Sequence, residues 1–278
     1  PRSTPSNSSA ASDVYKRQMF SSLMPHNNGV YGLAHRGFIL DENVPYLPKI
    51  LSENGYETFL FGLQHETKFS KSHILGYKKH FFGKTTYCAD VVPLVVEFLE
   101  NNPPEPFFIS VGFFETHRKF PEVEVIPEDI KVPEFLPDAI EVKKDIAGLN
   151  LLVERVDKSI REIIEVLERK KLIDRTLIIL TTDHGIAFPG AKATLFDPGI
   201  GIFLIMRGPG FEGGKRINSL LSNLDLTPTI LDYLGIEIPE VMQGKSFLPI
   251  VKGEKEKVRD RLFTELTYHA AYDPMRSI

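Results

Sequence analysis

The chain has 278 residues, 42% of them hydrophobic, enough to bury a sizeable core and to form one large domain. Its net charge of −4 at pH 7 gives no reason to expect nucleic acid or an anionic membrane as a partner. A single cysteine, Cys88, rules out an internal disulfide framework, and no apolar run approaches the ~20 residues that span a bilayer.

Residues 1–18, PRSTPSNSSAASDVYKRQ, are rich in Ser, Ala and Pro and show no apolar period. They are expected to be a non-native or disordered leader, set apart from a folded region over 19–278. A helix-like stretch over 44–55 then leads to YETFLFG at 56–62, short, rich in aromatics and bounded by Gly, which reads as a strand. The run CADVVPLVVEFLENN at 88–102 reads as a helix and PFFISVGFF at 106–114 as a second strand. A Pro-rich loop over 123–142 precedes a long amphipathic stretch at 141–173, with Leu149, Leu152, Val153, Val156, Ile160, Ile163, Ile164 and Leu167 at three- and four-residue steps. TLIILTTDHG at 176–185 and IGIFLIMRGPG at 200–210 read as further strands, and SNLDLTPTILDYLGI at 222–236 as a helix stopped by Gly235. Strands that are apolar almost throughout, alternating with helices, predict an α/β domain with a mostly parallel central sheet and helices on both faces.

In such sheets ligands bind beyond the carboxyl ends of the strands. Three predicted strands lead there to ionisable residues: Gln64-His65-Glu66, Glu115-Thr116-His117-Arg118 and Asp183-His184. Taken singly, Asp183-His184-Gly185 fits ordinary turn chemistry, Lys192 a solvated lysine, and His65 and His117 hydrogen-bonded histidines. Together they suggest a metal held by adjacent oxygen and nitrogen donors, with a cation beside it for an anion.

The stretch TTDHGIAFPGAKATLFDPG at 181–199 resembles the second signature region of the formylglycine-dependent sulfatases, of the alkaline-phosphatase-like superfamily. PHNNGVYGL (25–33), GLQHE (62–66), FFETHRKF (113–120), MQGKSFLPIV (242–251) and YHAAYDPMRSI (268–278) resemble further family segments in order. NNGVYGL, ETHR, GIAFPGAK and YDPMRS lean toward the heparan N-sulfatase (N-sulfoglucosamine sulfohydrolase) branch. The resemblance implies an alkaline-phosphatase-like fold, incomplete at both ends: the first strand, the nucleophile segment and most of a C-terminal subdomain are not expected. It implies hydrolysis of sulfate esters or sulfamates on sulfated carbohydrates, a divalent metal, commonly Ca2+, and a formylglycine made from Cys by a formylglycine-generating enzyme. By the same resemblance Asp183 and His184 would be metal ligands, although many relatives carry Asn at the second place. Lys192 would bind sulfate oxygens and His117 would protonate the leaving group. His65 would orient the nucleophile, and Glu115, His269 and Arg276 would contact the sugar. Such enzymes work in the periplasm, outside the cell or in lysosomes.

Two departures stand out. Leu63 occupies the place where most sulfatases have a sulfate-contacting Lys, and a lost charge-assisted contact costs on the order of 1.5–3 kcal/mol. Where Cys-x-Pro-Ser-Arg should fall, the chain reads Ser12-Asp13-Val14-Tyr15-Lys16, and the residues after Cys88 do not follow that pattern either. The expectation is a sulfatase-derived chain without its nucleophile. The alternatives are a phosphatase or phosphonate hydrolase of the same superfamily and a degenerate, non-catalytic glycan binder.

Overall fold

The computed structural model describes residues 10–32, 37–64, 66–67, 73–211, 213–269 and 272–278, with side chains from Tyr15 onward. Strand β1 (Glu57–Gly62) lies at the centre of a parallel three-stranded sheet, between β2 (Lys79–Phe81) and β3 (Phe107–Gly112). Phe59 pairs with Lys79 on one side and with Ile109 on the other. A strand buried on both faces must be apolar throughout, and from Thr58 to Gly62 every residue of β1 is buried.

Helices cover both faces, as expected. On one, α4 (Cys88–Glu100) and α5 (Ile140–Arg169) bring Val91, Val95, Leu99, Val166 and Leu167 against Phe59 and Phe61. On the other, α1 (Ala10–Ser21), α3 (Leu47–Glu53) and α7 (Leu226–Leu234) bring together Met19, Leu47, Leu51, Ile230 and Leu231, with Phe108 packed against them. The short α2 (Pro25–Asn28) ends at Gly29 in the left-handed conformation. Among the described residues no helix is long and apolar enough to cross a membrane.

The rest of the chain adds two antiparallel pairs. Strand β4 (Ile178–Thr181) pairs with β5 (Leu204–Arg207), which follows the one-turn helix α6 (Asp197–Ile200), and Ile178 stands opposite Arg207. Past α8 (Leu248–Val251), β6 (Thr264–Tyr268) pairs with β7 (Tyr272–Ser277). Neither β2 nor this terminal pair stands out in the sequence: β2 has only three residues, and β7 is mostly exposed and carries Pro274.

Residues 10–18, read from sequence as part of a non-native or disordered leader, form most of α1, in which Tyr15, Arg17 and Gln18 are buried, so the disordered alternative does not hold for them. Arg17 is fully buried and donates to the carbonyls of Gly32 and Glu66, while Thr227 Oγ1 donates to Met19 O at 2.7 Å. These bonds join the helix to three distant parts of the chain. The Ser/Pro bias that suggested disorder is densest in residues 1–9, outside the described residues.

Candidate active site

Residues at or just past the carboxyl ends of β1, β3 and β4 border one cavity. Arg175 Nη2 donates to Glu105 Oε1 at 2.9 Å, holding the segments that enter β4 and β3 side by side. Residues of both strands line one cavity of about 560 Å3, reaching Gly112 on β3 and Asp183 beyond β4. Leu63, which follows β1, lines it too, as does Lys16 of α1. The ends of β1 and β3 are pressed together: Gly62 has φ +74°, and a Cβ there would lie 2.4 Å from Gly112 O. A side chain at Gly62 would push the strands apart. His65, expected next after β1, lies outside the described residues.

Beyond β4 the chain turns sharply at Gly185. A Cβ there would come within 1.9 Å of Pro198 O, and Gly185 N donates to Gly199 O at 2.8 Å. The turn holds Asp183 and His184 together, with His184 Nε2 3.7 Å from Asp183 Oδ1. His184 Nδ1 stands 2.7 Å from Gly185 O, so it carries the proton and Nε2 carries the lone pair. Burial pushes the His184 pKa below its ordinary value; Lys192 and Lys16 act the same way, while Asp183 and the Gly185 carbonyl pull it back up. The neutral ring is the form that can act as a metal ligand.

Lys192 and His269 stand within electrostatic reach of this pair. Burial first, then the charges of Lys192 and His184, push His269 down to about 4. Its buried Nε2 has no hydrogen-bond partner among the described residues. Tyr15 comes in from α1, with its ring centroid 6.0 Å from that of His184. Burial and the neighbouring Asp183 push the phenol up to about 12. A carboxylate, neutral imidazoles, an ammonium and an un-ionised phenol thus share one half-buried corner.

His117 sits on the loop after β3. Its Nδ1 is 2.6 Å from Arg118 O, which leaves Nε2 as the nitrogen that would exchange a proton elsewhere. Arg118 anchors that loop: Nε donates to Ala187 O at 2.8 Å, Nη2 pairs with Asp145 at 2.6 Å, and the guanidinium lies over the rings of Phe120 and Phe188. Glu115 has turned toward α4, where its carboxylate accepts from Cys88 N at 3.0 Å in the first turn of the helix. Arg276 belongs to another cluster: its Nε pairs with Glu265 at 3.0 Å, and Glu265 also holds His26 Nδ1 at 2.8 Å.

Sequence reasoning missed Tyr15 and Lys16, because it treated α1 as leader, and the Glu265–His26 pair, whose partners lie 239 residues apart. The available signal was the spacing of Tyr15 and Met19, one helical turn apart. Asp183 and His184 are donors of the right kind for a divalent cation. Among the described residues, however, no group of three or more His, Cys, Asp or Glu side chains is placed to hold a metal ion.

The family profile described as Sulfatase matches residues 6–236. The chain belongs to the sulfatase family. It is 28% identical to human N-sulphoglucosamine sulphohydrolase over 324 aligned positions, covering 95% of this chain and 61% of the human protein. The sulfatase chain therefore spans about three fifths of that relative's length. A solved 2-O GAG sulfatase superposes with a TM-score of 0.75 at 22% identity, over 95% of this chain and 69% of its own. A protein solved in complex with its substrate D-glucosamine-2-N,6-O-disulfate gives a TM-score of 0.67 at 18% identity, over 95% and 76% of the two chains. These likenesses establish the alkaline-phosphatase-like α/β fold.

Proposed function

We propose that this sulfatase chain derives from a hydrolase of sulfate esters or sulfamates on sulfated sugars, and that as it stands it does not turn substrate over. The reading is supported by the corner where Lys192 stands within electrostatic reach of His184 and His269, beside Asp183, within a chain matched to the sulfatase profile. Lysine suits a sulfate because its ammonium is a point charge that needs no fixed bidentate geometry. His117, with Nδ1 engaged by Arg118 O, would offer Nε2–H to a departing oxygen or nitrogen when protonated. His269 would stay neutral, so that the positive charge offered to the sulfate there comes from Lys192. Glu115 and Arg276 remain candidate sugar contacts, each through its partly exposed side chain, and His65 remains the residue expected to orient the nucleophile.

Asp183 and His184 would hold one side of a divalent cation, Ca2+ by family resemblance, which when bound supplies charge stabilisation to the sulfate oxygens. The formylglycine would have to come from a Cys that residues 12–16 do not contain. The human relative's name, N-sulphoglucosamine sulphohydrolase, and the disulfated glucosamine bound by one structural neighbour support a sulfated glucosamine as substrate. The formylglycine-generating enzyme would be the maturation partner.

The test restores the segment with Ser12→Cys, Val14→Pro, Tyr15→Ser and Lys16→Arg, co-expresses the chain with a formylglycine-generating enzyme, and measures sulfate release from N-sulfated and O-sulfated glucosamine. Calorimetric titration of the unaltered chain with both sugars runs in parallel. Binding that Lys192→Ala weakens at least tenfold, without turnover by the unaltered chain, is expected. Absence of binding to either sugar would overturn the reading. Turnover by the unaltered chain would overturn the inference of inactivity.

A further inference from the structure

The start of α4 is capped from outside the helix. The first N–H groups of a helix lack partners within it, and a Ser, Thr, Asp or Asn just before the first turn commonly supplies an acceptor. In α4 that place is taken by Tyr87, which makes no side-chain hydrogen bond to the helix, and Asp90 in the first turn accepts from Thr85 Oγ1. The acceptor for Cys88 N is Glu115 Oε2, at 3.0 Å, from a loop 27 residues further along the chain. The Cys88 thiol is within hydrogen-bond reach of the same carboxylate and of Ser159 on α5. A carboxylate at this end of a helix is also favoured by the helix dipole.

Glu115 lies inside the turn that delivers His117. His117 N donates to Phe114 O at 2.9 Å, so Glu115 and Thr116 are the central residues of a tight turn. Phe114, where the turn begins, is held separately: its N–H donates to Thr86 O at 2.9 Å, and its ring meets that of Tyr87 edge-on with centroids 5.1 Å apart. Where the turn ends, the His117 ring lies against Phe114, with centroids 4.6 Å apart and planes 39° from parallel. The rings of Tyr87, Phe114 and His117 thus run outward from the start of α4, and Glu115 bonds the middle of the turn back to the same helix start. A cap supplied by the helix itself would satisfy Cys88 N equally well. One supplied from this turn also fixes where the turn stands.

We propose that Glu115 is a positioning residue for His117: its carboxylate, bonded to Cys88 N, holds the turn so that the His117 ring stays against Phe114. This role needs no contact with substrate, and it rests on the reading of His117 as proton donor to the leaving atom. A misplacement of about 1 Å between reacting groups can cost on the order of a hundredfold in rate, so anchoring this ring matters wherever a proton must pass from it.

The test compares the full chain with four variants, each with selectively labelled His, Phe and Tyr, by nuclear Overhauser contacts between ring protons in the absence of sugar. Glu115→Ala removes the acceptor. Cys88→Pro removes the donor at a place that tolerates it: Cys88 is the first residue of α4, and Tyr87 before it is already extended at φ −76° and ψ 153°. Glu115→Gln keeps an acceptor oxygen, and Cys88→Ser keeps the N–H while removing the thiol. The expected result is loss of the His117–Phe114 contacts in Glu115→Ala and Cys88→Pro with the Tyr87–Phe114 contacts retained. Both sets should persist in Glu115→Gln and Cys88→Ser. His117–Phe114 contacts that survive in Glu115→Ala or in Cys88→Pro would overturn the proposal. So would their loss in either conservative variant, or loss of both sets together in Glu115→Ala or Cys88→Pro, which would leave Glu115 a structural cap only. These contacts are read without turnover or sugar binding, so failure of the sulfatase reading would leave them unchanged and the two failures are told apart.

Discussion

Arg118 donates to Ala187 O at 2.8 Å and thereby ties the loop carrying His117 to the loop that follows His184. The same guanidinium pairs with Asp145 on α5 and lies over the rings of Phe120 and Phe188. Removing it should cost about 2 kcal/mol, most of it from the charged donor lost to a backbone carbonyl, because the Asp145 pair is partly solvated. A lower urea midpoint for Arg118→Ala is expected, with little recovery in Arg118→Lys, since an ammonium cannot stack and fork together. Full recovery by Lys would contradict this account.

Asp225 is fully buried and has four donors: Arg259 through two nitrogens, Ser222 N at 2.7 Å and Lys245 N at 2.7 Å. Asp225→Ala strands the Arg259 guanidinium, itself 11% exposed, without a counter-charge. Breaking a buried pair from one side costs about 3–5 kcal/mol. Chemical denaturation should show that loss, and the double variant Asp225→Ala/Arg259→Met should regain part of it.

Burial lowers the His80 pKa; the Gly62 carbonyl, 3.0 Å from Nε2, and the charge of Glu66 oppose this only in part. The folded chain therefore holds His80 neutral at pH values where the unfolded chain, titrating near 6.5, already binds a proton. The associated stability is fully present above about pH 6.5 and is lost as the pH falls through the lower folded value. A melting temperature that declines on acidification below about pH 6.5, with a shallower decline in His80→Gln, is the expected pattern. Identical slopes would remove His80 as a cause.

Cys88 is 3% exposed, and its thiol is pushed up to about 12, chiefly by burial and further by Glu115. A thiol in that state is not a nucleophile at neutral pH. Native chain at pH 8 should react with a chromogenic disulfide reagent only as fast as it unfolds, and stoichiometric labelling should appear in denaturant. Rapid native labelling would reverse this view of Cys88.

The central strands were legible because burial on both faces leaves a mark that survives in one dimension: unbroken apolar runs, as in TFLF and FFIS. Helix α5 was legible through its period. Asp183 and His184 could be singled out because they directly follow such a run. What stayed hidden depends on partners. The Glu265–His26 contact joins residues 239 positions apart, and the role of Glu115 as a cap on α4 needs the position of Cys88. Tyr15 and Lys16 were obscured by the Ser-rich residues before them.

The Arg118 contact has a mechanical consequence. It joins the loop after β3 to the loop after β4 through Ala187 O, and it fastens both to α5 through Asp145. His117 rides on the first of these loops, and Asp183, His184 and Lys192 ride on the second. The separation between the ring that would release a proton and the ammonium that would grip an anion is thus set in part by one guanidinium. Loosening that latch should broaden the spread of distances between the two loops before it unfolds the core.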